Sequence, residues 1–237
     1  MKISGSIALV TGANRGIGRQ FAAQLVERGA SKVYATARTP ESIDVPGVET
    51  LRIDITDPAS IAAAAAVADD VTLLVNNAGI TTGTDLVSGD LDVIRRELDT
   101  NFYGTLHMVR AFAPALARNG GGAILNVLSA LSWFAYPGAG AYAAAKAATW
   151  NLTNSVRLEL APKGTLVTGL HLGAADTDMM AGYDGPKVSP VDVVRAALDG
   201  IEAGKLEVVV DEWSRTVKTA VAHDPENFYG DAAHPAA

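Results

Sequence analysis

A chain of 237 residues, 49% hydrophobic and 19% charged, is long enough to bury one large α/β core. Its net charge of -7 lacks the basic balance that nucleic acid or an anionic membrane favours, and without cysteine it has no disulfide, thiolate metal site or Cys nucleophile. Residues 1–5 do not read as a signal peptide, and no apolar run nears the ~18 residues of a spanning helix. The expectation is a soluble, cytoplasmic protein with no resident metal and no nucleic-acid or membrane partner.

Ile7-Ala8-Leu9-Val10 is a short apolar run, the pattern of a strand buried on both faces. Thr11-Gly12-Ala13-Asn14-Arg15-Gly16-Ile17-Gly18 follows at once, and a helical pattern then runs to Arg28 and Gly29. A strand, a glycine-rich turn and a helix make a dinucleotide cradle. The glycines permit close backbone approach to a pyrophosphate, and the helix N-terminus supplies free N–H groups and a partial positive charge. Residues 32–36 read as a second strand. A NAD-preferring site puts an acid near the end of this strand, yet none appears before Glu41. Arg15 and Arg38 stand there instead, and guanidinium matches a ribose 2′-phosphate. The expected cofactor is NADP(H), with NAD(H) the alternative.

Residues 50–53 form a third strand, leading to Asp54-Ile55. Asp54 either accepts from an adenine amino group or caps the next turn. A helix over 58–68 carries Asp57 as N-cap. Residues 71–75 form the fourth strand, ended by Asn76-Asn77-Ala78-Gly79, whose small residues and amides fit close approach to a nucleotide. Helix follows over 91–98 and 104–118. Asn101 lies between, where its amide competes with backbone hydrogen bonds and predicts a local distortion that can hold a water. Residues 123–128 are the fifth strand, with Ser129 at its end.

Tyr142 and Lys146 are four apart at the start of an alanine-rich helix running to about residue 161, so their side chains share one face. A Lys ammonium beside a phenol favours phenolate, which predicts a tyrosine pKa lowered from about 10. At about 4 Å and an effective dielectric of about 20 the attraction is roughly 4 kcal/mol before desolvation. Ser129 is positioned to hydrogen-bond the oxygen that Tyr142 protonates. Thr165 to His171 is a sixth strand, with His171 expected in the core rather than in catalysis. A loop through Gly173, Ala175, Thr177 and Met179 follows, then a helix from Ser189-Pro190 and a seventh strand over 206–210. The tail, 223–237, reads as irregular beside one dinucleotide-binding domain over 1–222.

Strands and helices alternate, so the fold class is α/β, a Rossmann-type doubly wound parallel seven-stranded sheet with helices on both faces. Ligands bind such sheets at the strands' C-terminal ends, where Gly12, Arg38, Asn77, Ser129 and Gly173 all fall.

Thr11-Gly12-x-x-x-Gly16-x-Gly18, Asn76-Asn77-Ala78-Gly79, Asn101, Ser129 and Tyr142-x-x-x-Lys146 stand in one order and spacing. In these motifs, over nearly all of residues 5–210, the chain resembles the compact, single-domain branch of the short-chain dehydrogenase/reductase family, and within it NADPH-dependent carbonyl reductases. The resemblance implies an Asn101–Ser129–Tyr142–Lys146 tetrad. Tyr142 is then the acid in reduction and the base in oxidation. Lys146 lowers its pKa and binds the nicotinamide ribose, Ser129 holds the carbonyl, and Asn101 positions a water. The cofactor would meet Gly12, Asn14, Arg15, Gly16, Ile17, Gly18, Arg38, Asp54, Ile55, Asn77, Ala78, Gly79, Gly173, Ala175 and Thr177, besides Tyr142 and Lys146. Leu172 departs from the proline usual in the family. Leu131, Trp133, Tyr136 and Met179 flank the expected substrate pocket, with Phe134 and Met180, and suggest an apolar or aromatic ketone, aldehyde or keto ester. For Trp133 a core or subunit contact is the competing expectation. Relatives pair through helices at 104–118 and 142–161, which implies a homodimer or homotetramer. The alternatives are a NAD-dependent alcohol dehydrogenase of the same family and a non-catalytic NADP(H)-binding redox sensor.

Overall fold

The short apolar runs become seven strands in the computed structural model of the protein, which describes residues 1–230. They are β1 (Ile7–Thr11), β2 (Lys32–Ala37), β3 (Glu49–Arg52), β4 (Leu73–Asn76), β5 (Gly122–Val127), β6 (Thr165–His171) and β7 (Glu207–Val209). All pair in parallel, in the order β3-β2-β1-β4-β5-β6-β7. The order reverses between β1 and β4, which opens a crevice at their C-terminal ends.

Side chains alternate along each strand, so each central strand feeds two cores. Ala8 and Val10 join Val33, Val75 and Leu125 on one face, under α1 (Gly16–Glu27) and α6 (Pro190–Glu202). Leu9, Leu74, Ile124 and Val167 face the other way, under α2 (Pro58–Val67), α4 (Thr105–Arg118) and α5 (Gly140–Leu160). Burial on both faces explains why these strands are continuously apolar rather than alternating. The capping residues act as expected: Asp57 accepts from Ala59 N at 2.9 Å, and Ser189 from Val191 N at 3.2 Å.

Between α3 (Leu91–Leu98) and α4 the backbone is π-helical over Asp99–Gly104, the distortion that Asn101 foreshadows. Two helices have no counterpart in the sequence reading. The first, α7 (Glu212–Ala220), is capped by Asp211 and buries only Ser214 and Val217, so it lacks a broad apolar stripe. The second, α8 (Glu226–Tyr229), is one turn within the tail expected to be irregular. It is held by Phe228 and Tyr229 stacked on Phe134, with ring centroids 5.4 and 5.3 Å apart. The rest of that tail, 231–237, lies outside the described residues. Among the described residues no helix is long and apolar enough to cross a membrane.

Candidate active site

The glycine-rich turn leaves β1 and enters α1 at the crevice. Gly12 has φ +65°, a backbone that favours glycine, and a Cβ there would come within 3.2 Å of Asn77 Nδ2 and Ala78 Cα. A Cβ on Gly18 would strike the Gly12 carbonyl, so strand and helix meet backbone to backbone. Gly16, φ +54°, lies beneath Thr177, whose Cγ2 is 3.2 Å from the position a Cβ would take. The α1 N-terminus has no side-chain cap and no acid in its first turn. Bare backbone, uncapped N–H groups and a partial positive charge together fit a pyrophosphate. Asn14 and Ile17 line the same turn. Arg15 and Arg38 are exposed at its rim, with no acid on the β2 end, and Arg15 lies 3.5 Å from the exposed Asp178. These residues fit a nicotinamide dinucleotide, including one with a 2′-phosphate.

Thr11 and Asn77 lock the loop after β4 to the turn. Thr11 Oγ1 accepts from Asn77 N at 2.9 Å and Ala78 N at 3.0 Å, while Asn77 Nδ2 donates to the Thr11 carbonyl at 2.9 Å. The Asn77 side chain therefore braces the cradle, and Ala78 and Gly79 present the small surface. Asp54 Oδ1 accepts from Thr56 N at 3.0 Å and Thr56 Oγ1 at 2.7 Å, so it caps its own turn beside the buried Ile55. Asp211 Oδ2 accepts from Gly173 N at 2.7 Å, and Asp211 Oδ1 from Ser214 N at 2.8 Å. That pair of bonds ties the loop after β6 to α7. Leu172, where the family usually has proline, is 5% exposed and packs in the α1–α6 core beside Ala175. The loop is thus held by Asp211 and core packing rather than by a proline ring.

The four tetrad residues converge. Lys146 Nζ, on the buried face of α5, donates to the carbonyl of Val127 at the end of β5, 2.9 Å away. It also sits 5.5 Å from the centre of the Tyr142 ring. Ser129 begins the turn after β5, accepts from Leu131 N at 3.1 Å and presents its hydroxyl towards Tyr142, whose phenol it draws down. Asn101 clamps the backbone of Ile80 from both sides of its amide, at 3.2 and 2.9 Å. A Cβ on Gly79 would lie 2.7 Å from Asn101 Oδ1 and 3.7 Å from Lys146 Nζ, so only glycine lets the chain pass there.

The electrostatics correct one expectation. Burial pushes the Tyr142 phenol up to about 12, against the Ser129 hydrogen bond, and the negative charge of Glu97 adds to the rise. Desolvation of the phenolate is the largest cause, and the Lys146 ammonium, which lies over the ring, is bonded to the Val127 carbonyl instead. Burial likewise brings Lys146 down to about 8, opposed by Glu97.

On the substrate side, Leu131 is half-buried, while Tyr136 and Met179 are exposed on loops that flank the tetrad. Trp133 is half-buried: it stacks on the buried His171 at 3.8 Å between centroids and meets Trp150 edge-on at 6.1 Å. His171 Nδ1 lies 3.2 Å from the Ser129 carbonyl, which makes it a support of that turn. Two site residues escaped the sequence reading, Asp211 and Glu97. Asp211 had a visible signal as an N-cap three residues before Ser214. Glu97 shares one helical face with Ile94 and Asn101, at spacings of three and four.

A family model described as short chain dehydrogenase matches residues 6–186. The chain belongs to the short-chain dehydrogenase family. A short-chain dehydrogenase from Burkholderia cenocepacia J2315, solved in complex with NADP, superposes with a TM-score of 0.94 at 39% identity, over 99% of this chain and 100% of that one. The 3-oxoacyl-(acyl-carrier-protein) reductase FabG of Vibrio harveyi is 34% identical over 216 residues, 87% of this chain and 86% of that protein. The NADPH-dependent 1-acyldihydroxyacetone phosphate reductase of Schizosaccharomyces pombe is 34% identical over 182 residues, 73% of this chain, which spans 61% of that relative's length. This short-chain dehydrogenase is therefore an oxidoreductase with a nicotinamide-binding, Rossmann-type sheet.

Proposed function

We propose that this short-chain dehydrogenase is an NADP(H)-dependent carbonyl reductase, reversible as a secondary-alcohol dehydrogenase. The observation that carries the proposal is the convergence of Ser129, Tyr142 and Lys146 beside the glycine cradle, with Lys146 bonded to the carbonyl of Val127 at 2.9 Å. Exposed Arg15 and Arg38, with no acid at the β2 end, support NADP(H) over NAD(H). The solved relative with NADP supports it independently.

When bound, the nicotinamide supplies or accepts hydride. Ser129 holds the carbonyl oxygen, and Tyr142 gives that oxygen its proton in reduction. In oxidation Tyr142 takes the proton back from the alcohol. Lys146, buried and held close to the tyrosine ring, offers a positive charge where the phenolate forms. Asn101, through its clamp on Ile80, holds the chain after Gly79 against Lys146. Leu131, Tyr136 and Met179 support an apolar or aromatic ketone, aldehyde or keto ester, and both named reductase relatives act, by their names, on oxo groups in acyl compounds. The working unit on this reading is a cytoplasmic homodimer or homotetramer of one-domain subunits, contacting through α4 and α5.

The test is turnover of NADPH against a panel of ketones, aldehydes and keto esters, with the tyrosine variant alongside. Activity in the wild type that disappears in Tyr142→Phe supports the proposal. Tight NADPH binding without turnover on any carbonyl supports the redox-sensor alternative instead.

A further inference from the structure

Among the described residues, Glu97 is the one buried carboxylate and Lys146 the one buried ammonium. They belong to the same site. Glu97 is 0% exposed on α3, which packs against α5, the helix of Tyr142 and Lys146. Its Oε1 accepts from Thr82 N at 2.5 Å and from the Thr82 hydroxyl, which is itself paired with Thr84 at 2.8 Å. Its Oε2 is buried and has no hydrogen-bond partner. Bracing the loop at Thr82 needs one neutral acceptor, and a glutamine carbonyl would serve. The charge and the second oxygen are therefore surplus to that structural role, and an unpaired buried carboxylate is costly to keep.

We propose that Glu97 is a positioning residue for the proton chemistry of this site: its fixed negative charge holds Lys146 as the ammonium and Tyr142 as the phenol, and so biases the enzyme towards reduction. The inference rests on the reductase reading above. The charged and titratable surroundings are few. On α3 itself Asp92, Arg95, Arg96 and the following Asp99 are exposed, away from the core. On the loop before α3, Asp85 is exposed and bonded to Gly138 N. From α5 come Tyr142 and Lys146, and from the turn after β5 the neutral Ser129. His171, from β6, reaches this turn only through the Ser129 carbonyl. Glu97 is the charged group that acts on both members of the pair, raising each.

The sign of the effect does not depend on which member governs the rate. Removing a negative charge weakens proton binding at both, so both ionisations move to lower pH. The experiment is the pH dependence of kcat/KM for alcohol oxidation, in wild type, Glu97→Gln and Thr82→Val, each with NADP+. In Glu97→Gln the midpoint moves down by about one pH unit, a tenfold loss of proton affinity at the governing group. Thr82→Val removes the hydroxyl bond but keeps the backbone N–H bond and the charge, so it lowers stability and leaves the midpoint in place. An unmoved or raised midpoint in Glu97→Gln overturns the inference. If Glu97→Gln does not fold, Glu97→Leu serves with the same expected sign.

A second readout needs no turnover. Tyrosinate absorbance is titrated as the difference between wild type and Tyr142→Phe, then again in the Glu97→Gln background. A lower Tyr142 midpoint without Glu97 supports the inference, and an unchanged one overturns it. The two readings separate cleanly. Full activity in Tyr142→Phe defeats the reductase proposal. Loss of activity there, with no effect of Glu97→Gln on either midpoint, defeats only the role of Glu97.

Discussion

Thr11 offers a test of how the cradle is held. The residue is 1% exposed at the end of β1. Its hydroxyl donates to the Val75 carbonyl at 3.3 Å and accepts from Asn77 N and Ala78 N at 2.9 and 3.0 Å. Valine has the same shape without the hydroxyl, so Thr11→Val strips two backbone N–H groups of their acceptor. An orphaned buried donor costs about 1–3 kcal/mol. Asn77 and Ala78 are only partly buried, so the lower part of that range applies, for a total of about 2–4 kcal/mol. At about 2–4 °C per kcal/mol for a chain of this size, Tm falls by about 4–16 °C. Thr36 is the control. It lies opposite Thr11 in the β1–β2 register and is equally buried, but its hydroxyl donates to the Val10 carbonyl at 3.1 Å. Thr36→Val removes a donor from a carbonyl and orphans no N–H of this loop, at about 1 kcal/mol or less. The assay is chemical denaturation of both variants, with NADPH titrated by fluorescence. Thr11→Val should also bind NADPH more weakly, because the same bonds set the spacing between Gly12 and Asn77. Equal stability of the two variants would refute the reasoning.

Arg38→Asp should reverse cofactor preference. Losing one charge-assisted contact of about 1.5–3 kcal/mol lowers the NADPH-to-NADH ratio of kcat/KM by about 10–150-fold, and an unchanged ratio would favour the NAD-dependent alternative. Asp211→Ala frees Gly173 and Ser214 together. It should cost about 2–4 kcal/mol in denaturation and raise the Kd for NADPH, whereas wild-type affinity would show that the loop after β6 is held some other way. The pH profiles of the two directions should diverge. Reduction needs the Tyr142 phenol, which persists up to about 12, and the Lys146 ammonium, which is lost as pH rises through about 8. Reduction should therefore decline above about pH 8, while oxidation, which needs phenolate, climbs with pH. Identical profiles would count against Tyr142 as the proton carrier.

Much of the site was legible because its local chemistry is local in sequence. The Gly12–Gly18 turn, the strand Thr165–His171 and the helix spacing of Tyr142 and Lys146 need no tertiary information. The unusual position of Asn101 in a helical stretch foretold the π-helical run of Asp99–Gly104. What stayed hidden depends on burial. Glu97 follows Arg95 and Arg96 and looks like one more solvated charge, until α3 packs on α5 and encloses it. The Tyr142 shift has the opposite sign from the one that proximity to Lys146 suggests, because spacing reveals a neighbouring charge but not the desolvation that raises the phenol. Position alone leaves Trp133 open between pocket and core contact, and its stacking on His171, 38 residues on in sequence, comes only through the β5–β6 pairing. The helix α7 is hard to read from sequence for a related reason: it is short and mostly polar, with only Ser214 and Val217 buried, and the Asp211 cap is its clearest mark.

The most direct test of the central claim is single-turnover reduction of a reactive aromatic ketone by NADPH, in wild type and in Tyr142→Phe, with cofactor affinity measured in both. The account predicts equal NADPH binding and loss of reduction by about 100-fold or more in the variant, the scale of one general acid. Equal binding with undiminished reduction would contradict it.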